Sequence, residues 1–188
     1  MSKYSILPNG KVVLIGESGV GKSTLLSRYL FIDNLNTSSN PSLYYKEKYI
    51  PMKGKEEEFS FTIYDTDGNK TFRPVNVELC TITQAVLLVY NTNDKESFEE
   101  IKNYWHPEIV KKNSKVIFAL VGTFADVKDE TKSVSEEEIK EFMTKTGILY
   151  EYKISSMNYE NIKDVFNKIG ECLLSMQCLA NVLEEVCK

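Results

Sequence analysis

Residues Gly16–Thr24 read GESGVGKST, directly after the β-branched run KVVLI at Lys11–Ile15. A run that is apolar on both sides and ends in glycines suits a buried parallel strand better than a helix. The stretch that follows fits G-x-x-x-x-G-K-[ST], and from about Lys22 the spacing of Leu25, Leu26, Tyr29 and Leu30 predicts a helix with one apolar face. Strand, glycine-rich loop and helix in that order make a phosphate cradle. Glycines at Gly19 and Gly21 let backbone N–H groups, with those of Val20 and Thr24, converge on anionic oxygens at the positive end of the helix. Lys22 is expected to meet the β- and γ-phosphates as a point charge, and Ser23 to ligate a Mg²⁺ that bridges them. A glycine-rich turn that binds nothing is the weaker alternative, because both flanking elements are of the required type.

The rest of the chain extends this start into an α/β fold with a mostly parallel central sheet and helices on both faces. Ala85–Tyr90 (AVLLVY) and Val116–Val121 (VIFALV) read as two more buried strands, and Tyr44–Ile50 with Glu58–Tyr64 as a hairpin-like pair bent at Gly54. Ser97, Phe98, Ile101, Tyr104 and Trp105 fall on a helix that Pro107 should kink or end. Ser135 with Glu138 is a capping box, Gly147 closes the helix it opens, and Ile148–Ile154 leads to the last strand. From Ile162 to Val186 helical spacing continues for about 25 residues, roughly 38 Å. The reading is one domain over 1–178, with 179–188 continuing its last helix.

Composition narrows the function. The 188 residues are 42% apolar and 27% charged with a net charge of −4, and their lysines are scattered, so no nucleic acid partner is expected. No run approaches the ~18–20 apolar residues of a membrane span, and MSKYSILPNG lacks the core of a signal peptide. A cytoplasmic protein is expected, reaching a membrane periphery only through a partner. Four cysteines without paired spacing, and a single histidine, His106, argue against a metal knuckle.

Phosphate loops serve kinases, ATPases and GTPases, and three further stretches discriminate. Asp65 follows the strand FSFTIY, where a second carboxylate would hold Mg²⁺, and Gly68 can offer an N–H to a γ-phosphate. Asp126 ends VGTFAD after another strand, and Ser155 and Ser156 follow the last one. With these the chain resembles the Ras superfamily of small GTPases from Lys11 to about Met176. GESGVGKST looks like the Rab branch, and YWHPEI with LVGT-x-x-D like Rho proteins.

The resemblance implies Mg²⁺ and bound GTP or GDP, and as partners an exchange factor, an activating protein and effectors. It implies that Asp126 accepts the two donors of guanine's edge, a match adenine does not offer, that Ser155 braces it and that the Ser156 N–H reads O6. Ser42 stands where the family has a threonine that closes over Mg²⁺ and γ-phosphate. Thr123-Phe124-Ala125-Asp126 replaces Asn/Thr-Lys-x-Asp, so Phe124 either stacks on the base or points into the core. Met157 replaces a second lysine beside the base, which lowers the expected affinity. In DTDGNK, Asp67 and Asn69 replace an alanine and the glutamine that orients the attacking water. Slow hydrolysis follows, with Asn69 a shorter substitute and Lys22 the retained catalytic cation. The chain ends EVCK, which is not a prenylation motif. Either the protein works without a prenyl anchor or these residues precede more chain, and the long last helix tilts the reading to the second. Two rivals remain: a nucleotide kinase, disfavoured because Arg28 and Arg73 are the only arginines, and a pseudo-GTPase that binds without switching.

Overall fold

The computed structural model describes residues 10–32, 47–51, 58–126, 133–155 and 160–186. Strand β1 (Gly10–Ile15) runs into the phosphate loop and helix α1 (Lys22–Ile32), as the opening stretch requires. Then come β2 (Glu47–Pro51), β3 (Glu58–Asp65), α2 (Arg73–Leu79), β4 (Ala85–Asn91), α3 (Lys95–Glu100), α4 (His106–Lys112), β5 (Ile117–Thr123), α5 (Glu136–Thr146), β6 (Tyr150–Lys153) and α6 (Glu160–Val186). The sheet order is β2-β3-β1-β4-β5-β6, parallel throughout except for the antiparallel β2–β3 pair. The expected hairpin-like pair is therefore present, while Gly54 lies outside the described residues.

Period-2 alternation along β1 supplies both cores. Val12 and Leu14 face α1 and α6, with Tyr29 and Phe166 stacked at 3.9 Å between those helices. Val13 and Ile15 face the other layer, where Phe98, Trp105, Ile109 and Phe142 close over Val86, Leu88 and Leu120. Truncating Phe166 to Ala would remove a fully buried ring at a cost of about 3–5 kcal/mol. Because every parallel strand ends at the same edge of the sheet, the loops after β1, β3, β4 and β5 gather there.

Local rules fix the helix ends. The Ser135 hydroxyl accepts the Glu138 N–H at 3.2 Å while Glu138 accepts the Ser135 N–H at 2.9 Å, and Gly147 ends α5 at φ 74°. Pro107, expected to kink or end its helix, follows a change of helix type. Between α3 and α4, Ile101–Trp105 forms a wide π turn in which the His106 N–H reaches back to Ile101 O. A proline lacks an N–H and crowds the carbonyl four residues back. The wider turn moves that carbonyl aside and lets Pro107 sit in the first turn of α4. In α6, Ile162, Val165, Phe166, Ile169 and Leu173 are buried. No helix among the described residues is long and apolar enough to cross a membrane.

Candidate functional site

An open cleft of about 830 Å³ lies at the C-terminal edge of the sheet, bounded by the phosphate loop, the loop after β3 and Phe124 after β5. The loop after Ile15 owes its shape to glycine. Gly21 takes φ +93°, a conformation L side chains rarely adopt, and a side chain there would also meet the Phe124 ring. Its carbonyl accepts the Leu25 N–H at 2.8 Å, which starts α1. Gly19 and Ser23 stay exposed, whereas Val20 turns its side chain into the core. Thr24 completes this wall.

Lys22 is 5% exposed, and its ammonium donates to the carbonyls of Gly16 at 2.8 Å and Glu17 at 2.7 Å. Lys22 is structural as well: its stem is enclosed and its head ties down the two residues that follow β1. Burial lowers its pKa, with Asp65, Glu17 and Asp67 opposing. Asp65 shows the mirror image. Burial raises its pKa, opposed by the Ser23 hydrogen bond and by Lys22. The Ser23 hydroxyl donates to Asp65 Oδ2 at 2.5 Å, and buried Oδ1 has no hydrogen-bond partner among the described residues.

A hydroxyl and a carboxylate so placed, with an acceptor oxygen left over, fit a hard divalent cation such as Mg²⁺. Ser23 and Asp65 would hold it, and the ion would supply positive charge against phosphate oxygens. What the chain itself supplies is a desolvated cation, Lys22, in a glycine-shaped loop at the start of α1.

Gly68 is pressed onto the phosphate loop. A side chain at this position would come within 2.3 Å of the Glu17–Ser18 peptide, so only glycine allows the approach. Around it DTDGNK is held by its own side chains. Asp67 is exposed, its Oδ1 accepts the Asn69 N–H at 2.9 Å, and its carbonyl accepts from Asn76 at 2.7 Å. The Asp67 carboxylate therefore caps its own loop. Asn69 is exposed too, with Oδ1 accepting the Thr71 N–H at 3.0 Å.

The base-side loop is built differently. Thr123 Oγ1 lies 2.7 Å from Val20 O and 2.9 Å from Tyr90 O, tying β5 to the phosphate loop. Phe124 takes φ 58°, unusual for an aromatic residue, and is held there by Asn93 Nδ2, which donates to its carbonyl at 3.0 Å. Its half-buried ring forms a wall shared by the cleft and a smaller cavity lined by Arg28, Ile154 and Ser155. Of the two orientations open from sequence, the ring faces the cleft. Asp126 is exposed just beyond, and neither cavity is lined by it. Ser42, Ser156 and Met157 lie outside the described residues.

Three contacts have no signature in local sequence: Asn93 to Phe124, Asn76 to Asp67, and an ion-pair cluster joining Glu17, Arg73 and Glu100. Arg73 is the first residue of α2. The scarcity of arginine was the one hint of its use. A second cleft of similar size lies between α4 and α5 beside His106 and Phe142, with Lys102, Glu138, Glu141 and Lys145 on its walls.

Comparison with known proteins agrees with this geometry. The model of the Ras family matches residues 11–175. The chain is 30% identical to Ras-related protein RABC2b of Arabidopsis thaliana over 93% of its own length and 83% of the relative's. It is 28% identical to Ras-related protein SEC4 of Candida albicans, covering 92% and 80%, and 28% identical to the Ras-like GTP-binding protein RHO1 of Entamoeba histolytica, covering 88% and 76%. With the phosphate loop, the buried Asp65 and the sheet order already in place, the chain belongs to the Ras family of small GTPases.

Proposed function

We propose that this protein is a guanine-nucleotide switch that binds GDP and Mg²⁺·GTP in the cleft above β1 and β3, hydrolyses GTP slowly, and is read by effectors in membrane traffic or cytoskeletal signalling. The observation that carries this reading is the pairing of buried Lys22 with buried Asp65. Each is shifted by burial toward its neutral form, and Asp65 keeps a spare oxygen beside Ser23. Burial costs each charged group its hydration, and the attraction between them offsets only part of that cost. Phosphate and a divalent cation are the complementary ligands. Asp126 reads guanine by acceptor-only matching, with Ser155 and Ser156 in support and Ser42 closing over the phosphates. Phe124 offers a flat face where the family has a lysine stem, and Met157 replaces the family's second lysine. An exchange factor and an activating protein set the state.

Slow turnover follows from the loop after β3. Asn69 is one methylene shorter than the family's glutamine, and a misplacement of ~1 Å can cost ~100-fold. The test is single-turnover hydrolysis by the purified protein, after nucleotide binding has been measured with and without Mg²⁺. Wild type should bind GTP in a Mg²⁺-dependent way and hydrolyse it slowly, and Asn69→Gln with Asp67→Ala should be faster. A rate unchanged or lower in the double variant overturns the account of slow turnover. ATP competing as well as GTP overturns the guanine switch. A second reading, a nucleotide-binding module without hydrolysis, is favoured by one observation: Asn69 already spends its carbonyl oxygen on the Thr71 N–H. Absence of any turnover in wild type and in the double variant would select it.

A further inference from the structure

Glu17 sits inside the phosphate loop but uses its side chain outside it. Oε1 accepts the Trp105 indole N–H at 2.8 Å and an Arg73 N–H at 2.7 Å. The same guanidinium nitrogen lies 2.9 Å from Glu100 Oε2, and the guanidinium carbon sits 4.5 Å from the Tyr104 ring centre and 5.5 Å from that of Trp105. The phosphate loop, α2, α3 and the wide turn therefore meet at one arginine. Its side chain is 13% exposed and that of Glu17 15%. A guanidinium so covered is tolerated because two carboxylates meet its Nη2 and two rings meet its flat face, although its buried Nε has no hydrogen-bond partner among the described residues.

Covalent connection gives this cluster a consequence. Gly68 and Arg73 bracket one short segment, and both ends rest on the same piece of the phosphate loop: Gly68 by backbone contact with the Glu17–Ser18 peptide, Arg73 through the Glu17 carboxylate. Whatever draws Gly68 toward the loop also brings Arg73 to Glu17. Whatever releases Gly68 loosens the anchor of α2.

We infer that Glu17 is a positioning residue for the nucleotide-dependent loop: through Arg73 and Trp105 it holds Gly68–Arg73 and the start of α2 in place while a γ-phosphate is present, and lets them go when it leaves. This rests on the switch reading above. It also means that Arg73 is committed to the latch, so that the arginine neutralising charge in hydrolysis comes from an activating partner.

Trp105, the only tryptophan of the chain, reports on the latch directly, because its N–H bonds a carboxylate and a cation lies beside its ring. The experiment compares its emission in protein loaded with GDP and with a non-hydrolysable GTP analogue, bound nucleotide being quantified by chromatography after denaturation. Wild type should show two distinct spectra. Arg73→Met and, independently, Glu100→Gln should bring them together while nucleotide content is retained, and Arg73→Lys, which keeps charge but not the fork, should fall between. Hydrolysis in Arg73→Met should drop roughly ten- to a hundredfold. Bound nucleotide with identical emission in both wild-type states overturns the latch alone, as does a spectral difference that survives both Arg73→Met and Glu17→Gln. Wild type that retains no nucleotide removes the switch reading and the latch together.

Discussion

The two ends of the cleft are made by different means. At the phosphate end nearly every contact runs through backbone: Lys22 to the carbonyls of Gly16 and Glu17, Gly68 against a peptide, the loop shaped by glycine dihedrals. At the base end the work falls to side chains: the Thr123 hydroxyl, the Phe124 ring, the Asn93 amide, an exposed Asp126. Backbone contacts demand particular residue types, because only glycine fits and only a long cation reaches. Side-chain contacts can be met by several residues. Drift from the family pattern is therefore expected at positions read through side chains, as with Phe124 at the base end and with Asp67 and Asn69 beside the phosphate loop.

The sharpest way to break this contrast is Lys22→Ala. Loss of charge-assisted contacts to phosphate, of about 3 kcal/mol or more, should weaken GDP and GTP by over 100-fold, and loss of the bonds to Gly16 and Glu17 should lower the melting temperature as well, both measured where circular dichroism shows the variant folded. Affinity within a few-fold of wild type would mean that the phosphate end is not where binding resides.

Next comes Asp126→Asn. Turning an acceptor into a donor should move the ratio of GDP to XDP affinity by about ten- to a hundredfold toward xanthine, for a mismatch of ~1–3 kcal/mol. An unmoved ratio in competition titrations would leave the base end without its reader.

Phe124→Gly is gentler and has opposite effects on the two quantities it touches. Releasing an aromatic residue from φ 58° should raise the stability of the nucleotide-free protein by about 1 kcal/mol, whereas loss of the stacking face should weaken GDP by about 1–3 kcal/mol. Chemical denaturation and isothermal titration separate them. A variant that loses stability and keeps affinity would assign the ring to the core.

The smallest effect is on pH dependence. With its pKa raised by burial, Asp65 binds its proton more tightly folded than unfolded, so stability of the nucleotide-free protein should fall as pH climbs from the ordinary carboxylate range to the raised value. Asp65→Asn should flatten that slope, and in wild type Mg²⁺·nucleotide should flatten it too. An identical slope in Asp65→Asn would place the titration elsewhere.

How much could be read in advance follows the same division. β1, the phosphate loop and α1 were legible because period, glycine and lysine all carry local signals, and so was α5 with its Ser135–Glu138 box and Gly147. Helix α2 was not. It opens Arg-Pro and leaves Val75 66% exposed, so no buried stripe announces it, and its anchors reach 56 residues back to Glu17. The turning of Asp67 and Asn69 onto their own loop was equally hidden, since short polar side chains choose between backbone and ligand by geometry that sequence does not encode.

The wide turn at Ile101–Trp105 has a consequence for how this molecule can change over time. An α-helix advances about 100° per residue. In this stretch the turn sets Trp105 toward Glu17, His106 between Phe118 and Phe142, and Ile109 under the sheet. Deleting a single residue here would swing every later side chain by that angle, taking the indole from its carboxylate and Ile109 from the core in one step. Residues on the outer surface of this helix are open to substitution, but the number of residues between Asp94 and Ile109 is fixed. Lineages descending from this chain should vary the outward-facing letters of that segment but its length hardly at all.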